Sequence, residues 1–249
     1  MTPHSALADG RLADALALQL TVAESGDPAA FLLLFELQLL AERHRDAWDT
    51  LGRIASASAD WPAARRWYRH LVRAAYRRHQ TQRPAFLGEI PRHARYRLRA
   101  RDPARALAAI DRADAAAPHL VGHVDGREFD GLRDADDRLA SVLEVFVDSS
   151  YCWLPWEDVR RIELAPANRV FESAFRPARL RLASGDELAA VLPLVYAGAD
   201  EDWQRLGLDT DFVSTDAGPP RAVGAKLLWL GEEEIPLGEI RQLDVRPWT

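Results

Sequence analysis

The sequence predicts an α+β protein: a helical first half, residues 1–118, then a mostly antiparallel β half, residues 119–249, with a candidate internal repeat. Three observations predict it. Apolar residues recur at helical spacing through the first half. After Pro118 the texture changes to short Val- and Leu-rich runs separated by turn residues. The charge divides as well. Residues 1–121 hold 18 Arg against 13 acidic side chains, a net of +5, whereas residues 122–249 hold 14 basic and 25 acidic, a net of −11. Two units with different surfaces would carry such a division.

The helices follow in order. Residues 11–24 place Leu12, Ala15, Leu16, Leu20 and Ala23 on one face, with Gln19 the polar exception. Ser25-Gly26-Asp27-Pro28 stops that helix and starts the next. Residues 28–43 are apolar nearly all round, as in a helix packed on several sides. His44-Arg45 reads as a turn, and residues 46–57 as a third helix around Ala47, Trp48, Leu51 and Ile54. Asp60 is a plausible N-cap, with Pro62 in the first turn, for a helix over 61–79. Its apolar face is Trp61, Ala64, Tyr68, Leu71, Val72 and Ala75. Its opposite side carries Arg66, Arg69, Arg73 and Arg77. Pro84, Gly88 and Pro91 break the chain before two shorter helices, over 92–101 and 103–116.

In the second half, residues 142–147 form a nearly continuous apolar run. Asp148-Ser149-Ser150 is a turn, and strands resume over 151–154 and 160–164. Ser184-Gly185-Asp186 joins strands over 179–182 and 187–192 in a hairpin. A further hairpin runs from 226–230 through Gly231-Glu232-Glu233 to 234–235. Residues 154–164, LPWEDVRRIEL, align without gaps on residues 235–245, IPLGEIRQLDV. Each copy follows an apolar hairpin and reads as strand, short Pro-initiated helical turn, closing strand. Two related β units would explain this, packed as a barrel or sandwich.

Composition narrows the function. With 48% hydrophobic and 28% charged residues, the 249-residue chain has ordinary globular composition. Cys152 is the only cysteine, so no intrachain disulfide exists and nothing argues for an oxidising compartment. Residues 1–10 lack the basic-then-apolar order of a signal peptide, and the most apolar stretch, 31–40, is too short for a bilayer. A bacterial cytoplasmic location without membrane insertion is expected. The overall net charge of −6 and the absence of a reader motif argue against nucleic acid.

The search for chemistry finds little. No His pairs with Cys at zinc spacing, and neither a Walker A loop nor a dinucleotide fingerprint occurs. His119 and His123 read as solvated loop residues. Asp134, Asp136 and Asp137 form the densest acidic cluster, and a turn with Arg138 as a local ion partner is favoured there over a metal site. Cys152 lies in an apolar strand and reads as an inert buried thiol. No catalytic residue, cofactor or metal is expected. The candidates for partner binding are Arg66, Arg69, Arg73 and Arg77 on one helix face, Asp134, Asp136 and Arg138 in the acidic turn, and Trp153 and Trp156 beside the strands. For the tryptophans the core is the competing assignment. For the arginine stripe it is a solvated helix face.

Two resemblances sharpen this reading. Asp9-Gly10-Arg11-Leu12-Ala13-Asp14-Ala15-Leu16 and, more weakly, Arg43-His44-Arg45-Asp46-Ala47-Trp48 resemble the start of the second helix of a tetratricopeptide repeat. Their offset fits that family's period of about 34 residues. The first half is therefore expected to be TPR-like, a stack of helical hairpins with a concave surface. Residues 124–164, VDGREFDGLRDADDRLASVLEVFVDSSYCWLPWEDVRRIEL, resemble the central signature of the ImpE/TagJ family. The matching positions are Asp125, Gly126 and Phe129; Asp134, Ala135, Asp136, Arg138 and Leu139; Val142, Leu143 and Glu144; Tyr151, Trp153 and Pro155; and Arg160, Arg161 and Ile162. Upstream, Pro84-Ala85-Phe86-Leu87-Gly88-Glu89 resembles another family segment. The distal third departs from the pattern at residues 168–175, 195–199 and 223–227.

The resemblance implies a non-enzymatic accessory protein of bacterial type VI secretion. Its implied partners are the N-terminal helix of the small sheath subunit and the ATPase that disassembles the sheath. Two other readings compete: a TPR-type scaffold of another cytoplasmic complex, and an enzyme using Asp134, Asp136 and Arg138.

Overall fold

The structure is a computed structural model, and it describes residues 1–54, 60–80, 83–100, 102–215 and 218–248. The helices are α1 Pro3–Ala8, α2 Leu12–Ala23, α3 Pro28–Leu40, α4 His44–Arg53, α5 Trp61–Gln80, α6 Arg92–Arg99, α7 Ala106–Asp114 and α8 Asp202–Leu206. The strands are β1 Ala85–Phe86, β2 Leu120–Val124, β3 Arg127–Asp130, β4 Leu132–Asp134, β5 Val142–Val147, β6 Ser150–Pro155, β7 Val159–Leu164, β8 Phe175–Leu182, β9 Glu187–Pro193, β10 Thr210–Val213, β11 Arg221–Gly224, β12 Leu227–Leu230, β13 Glu233–Pro236 and β14 Gln242–Pro247. The fold is α+β with a large, mostly antiparallel sheet, as expected.

Local chemistry sets the helix ends. Asp27 accepts the Ala29 N–H at 3.1 Å and Pro28 occupies the first turn, so α3 starts where the sequence places it. That helix stops at Leu40 rather than 43, because Glu42 turns left-handed at φ 57°. His44 and Arg45, expected in a turn, instead open α4. Positions 55–57 of the predicted third helix lie outside the described residues, as does Arg101 at the end of the predicted 92–101 helix. The first helix, α1, was not anticipated. It is six residues long and held by a reciprocal capping box between Thr2 and Ser5.

One sheet of nine strands has the order β1-β6-β5-β9-β8-β7-β14-β2-β3. Among the described residues only the β1–β6 pairing is parallel, and it is made by the short Ala85–Phe86 segment against Cys152 and Trp153. The Ser184-Gly185-Asp186 hairpin forms between β8 and β9, with Gly185 at φ 93°. The second predicted hairpin forms as β12–β13, extended by β4 into a three-stranded sheet. His123 corrects the expectation of a loop: it lies on β2, between Asp244 of β14 and Glu128 of β3. The two aligned segments each run strand, 3-10 turn, strand: β6, Trp156–Asp158, β7, and β13, Leu237–Glu239, β14. Their closing strands pair antiparallel, Leu243 opposite Ile162.

The central strands are buried on both faces, which explains their unbroken apolar sequence. Val142 and Phe146 of β5, with Tyr151 and Trp153 of β6, face a core shared with helices α1–α6. Leu143 and Val145, with Cys152 and Leu154, face a second core closed by Leu228, Leu230, Leu237 and Leu243. The helical layer and the sheet are therefore joined by continuous packing. Glu36, polar on the apolar helix α3, reinforces that junction: it accepts bonds from the Arg169 guanidinium and, at 3.1 Å, from the Val170 N–H.

Candidate functional site

Glu144 lies on the helix-facing side of β5, between Val142 and Phe146, and is 3% exposed. Such a carboxylate is tolerable only with charged partners. Arg78, in the last turn of α5, supplies two parallel bonds, Nε to Oε1 at 3.0 Å and Nη2 to Oε2 at 2.6 Å, and Nη2 also donates to the Val195 carbonyl at 2.9 Å. Lys226 Nζ sits 2.9 Å from Glu144 Oε2 and donates to Asp134 Oδ2 at 3.0 Å. Tyr151 donates to Glu144 at 2.5 Å and itself accepts from Trp153 Nε1 at 2.7 Å.

The network continues along the turn after β4. Tyr196 donates its hydroxyl proton to Asp134 Oδ1 at 2.8 Å. Asp136 accepts from the Arg138 backbone and guanidinium and from the Ala222 N–H at 3.2 Å. Burial alone pushes the Glu144 carboxyl up, but Arg78 and Lys226 outweigh it and hold this group well below the usual carboxylate range. Asp134 goes the other way: burial raises it further than Lys226 lowers it. Lys226 keeps its charge, since Asp134 and Glu144 overcome the burial that would deprotonate it. Its ammonium also lies 4.7 Å from the centre of the Tyr196 ring. A slender Lys fits between two carboxylates where a planar guanidinium would need a fork-shaped partner.

Arg78, Arg138, Glu144, Tyr151, Trp153 and Tyr196 line a cavity of about 250 Å³ between the helical layer and the sheet. Of the residues proposed from sequence, Asp134, Asp136 and Arg138 are thus brought together. Asp134, at 2% exposed, and Asp136, at 0%, are interior groups, with only Arg138 reaching towards solvent. Trp153 and Trp156 are buried at 1% and 0%, so both belong to the core. No group of three or more His, Cys, Asp or Glu suited to a metal occurs among the described residues. Burial raises the Cys152 thiol pKa, in keeping with an inert side chain. Sequence reasoning passed over Arg78, Lys226 and Tyr196. Two signals pointed to them: one Glu inside an apolar β run, and one Lys in a chain that otherwise uses Arg.

A second surface lies on the helices. His44, Arg45, Trp48, Val72, Arg73 and Tyr76 line an open, largely apolar groove of about 390 Å³ between α4 and α5. Arg69 and Arg73 both stack on the Trp48 ring, each guanidinium carbon 4.8 Å from its centre. Arg66, Arg73 and Arg77 are exposed, and Arg77 donates to the Ser149 carbonyl at 3.0 Å. Of the predicted arginine stripe, Arg73 lines this groove and Arg69 stacks on its Trp48. Elsewhere, His93 of α6 joins Ser141 at 2.8 Å to Glu157 at 2.5 Å, pinning that helix to the sheet.

Comparison with known proteins agrees with the signature. Residues 126–244 match the family described as ImpE protein. The chain is 37% identical over 135 residues to the type VI secretion system accessory component TagJ of Pseudomonas aeruginosa. That match covers 53% of this chain and 47% of the relative, so it spans about half of the relative's length. A crystal structure of a Vibrio parahaemolyticus protein superposes with a TM-score of 0.90, covering 99% of this chain and 98% of that one at 22% identity, and shows the same fold. Of the cavity wall, Asp136, Arg138, Glu144, Tyr151, Trp153 and Tyr196 fall inside the matched region, so the part of the chain that is similar to the ImpE family is the part that builds the buried network.

Proposed function

We propose that this protein is a non-enzymatic accessory component of a bacterial type VI secretion system. It acts as an adaptor that holds the N-terminal helix of the small sheath subunit and is linked to the ATPase that recycles the sheath. The observation that carries the binding reading is the α4–α5 groove, where Trp48 and Tyr76 offer apolar surface, Arg45 and Arg73 line it, and Arg69 stacks with Arg73 on Trp48. An amphipathic helix lays its apolar side into such a groove, and carboxylates on its flanks meet the arginines. The occupant this chemistry fits is a helix with acidic flanks.

The same reading treats the helix pairs as TPR-like and residues 119–249 as a β unit that braces them. It takes the two strand–turn–strand segments ending in β7 and β14 as copies of one ancestral unit. Their shared order of local structure and their mutual pairing support that view. Work inside the cell without membrane insertion suits the role, and among the described residues no helix is long and apolar enough to cross a membrane.

Isothermal titration with a peptide copying the N-terminal helix of the cognate small sheath subunit tests the proposal. Saturable binding is expected, weakened at least tenfold by Arg69→Glu/Arg73→Glu. Binding unaffected by the double change would keep the adaptor function and move the site. No binding by a folded protein to a helical peptide would overturn the sheath role and favour a scaffold of another complex.

A further inference from the structure

The cavity between the helical layer and the sheet has an uneven charge balance. Three buried carboxylates, Asp134, Asp136 and Glu144, are matched by Arg78, Lys226 and Arg138, each bonded to at least one of them. Arg221, at the start of β11, also lines the cavity and is a fourth cation. It makes no hydrogen bond, ion pair or ring contact with any described residue. The next residue, Ala222, is bonded through its N–H to Asp136, the carboxylate that Arg138 grips. The chain next to Arg221 and the Arg138 guanidinium thus meet at one oxygen, Oδ2, of the same buried carboxylate.

The backbone makes room for this arrangement. Gly198 sits at φ 79°, and a Cβ there would come within 2.5 Å of Arg221 Nη1. The guanidinium is therefore seated against bare backbone inside the cavity wall. Arg138 commits Nε and Nη2 to Asp136, which leaves Nη1 uncommitted. Two guanidinium groups with free N–H donors face a space of about 250 Å³ in which every carboxylate already has its partners.

We propose that this cavity is a binding site for a small free oxyanion, held by Arg221 and Arg138. The ligand is a phosphate or a small carboxylate, since both present the paired oxygens that guanidinium forks recognise. The site is separate from the helix-binding groove and does not depend on that reading. It would place a soluble anion at the seam between α5 and the sheet, where its charge completes the balance of the buried network.

The test is calorimetric titration of the full chain with inorganic phosphate and, separately, with succinate, at constant ionic strength set by sodium chloride. One saturable site is expected for at least one of the two, and whichever binds identifies the oxyanion. Arg221→Gln should weaken that binding at least tenfold while leaving the far-ultraviolet circular dichroism unchanged. Gly198→Ala, which displaces the guanidinium without removing it, should weaken it too. Absence of saturable heat with both anions overturns the proposal, as does equal affinity in the Arg221→Gln protein.

Discussion

At the scale of single residues, Glu144 is where sequence and energetics meet. Its Oε1 and Oε2 accept from Arg78, Lys226 and Tyr151, all donors. In Glu144→Gln the amide nitrogen would face one of those donors, and two buried cations would lose their counter-charge. Removing one partner of a buried pair costs about 3–5 kcal/mol, so the variant should be destabilised on that order in urea denaturation at neutral pH. Arg78→Met/Glu144→Gln removes both partners and leaves Lys226 with Asp134. It should be less destabilised than the sum of its two single changes, and additivity would show that the pair is not coupled. The sign with pH also follows. A carboxyl held below its usual range contributes stability above about pH 4.5 that is lost as the pH falls through its folded value. The Glu144→Gln protein should therefore lose less stability on acidification than the parent.

At the scale of elements, α4 and α5 illustrate what could be read in advance. The α5 periodicity was legible because its buried residues Leu71, Val72 and Ala75 follow a 3.6-residue repeat, and the exposed arginines follow it on the other side. Arg78 breaks that logic, since its burial depends on a carboxylate 66 residues away that no local pattern announces. The short strands β2, β3, β4, β10 and β11 were missed for a related reason: they have at most five residues, and they are held extended by pairing with distant partners such as β14 and β12. The strongly apolar β5 and the Gly-turned β8–β9 hairpin carried their own signals. In the cavity, the Asp134–Arg138 turn was legible as a cluster, but its depth was not.

The α4–α5 groove has its own pH signature. Burial, with His79 nearby, lowers the His44 pKa to about 4. The unfolded chain binds a proton at His44 near pH 6.5, whereas the folded one resists until about pH 4. Folding stability at this position is thus retained above pH 6.5 and declines as the pH drops towards 4, by at most about 3 kcal/mol. Urea midpoints measured at pH 7 and pH 5 should fall further for the parent than for His44→Gln. Equal falls would show that His44 is as free to protonate in the groove as in the unfolded chain.

At the scale of the whole molecule, the opposed charges of the two halves suggested separate units, yet the packing between them is continuous. Val142, Phe146, Tyr151, Trp153, Phe175 and Val191 of the sheet share one apolar core with helices α1–α6. The Arg78–Glu144 and Glu36–Arg169 pairs cross the same seam. A sheet stripped of the helices would expose that apolar face and leave Glu144 without Arg78, so neither half is expected to hold its structure alone. Two probes can decide this. Far-ultraviolet circular dichroism at 222 nm is dominated by the helices, and tryptophan fluorescence includes Trp153 of β6 and Trp156 of the turn that follows it. If helices and sheet unfold as one cooperative unit, both probes give the same urea midpoint and slope. Phe146→Ala, which cuts a buried ring that meets Tyr151 and Phe175, should then shift both curves together by about 3–5 kcal/mol. A circular dichroism midpoint separated from the fluorescence midpoint, or a Phe146→Ala shift confined to fluorescence, would establish two independently folding units and make the seam an interface rather than a core.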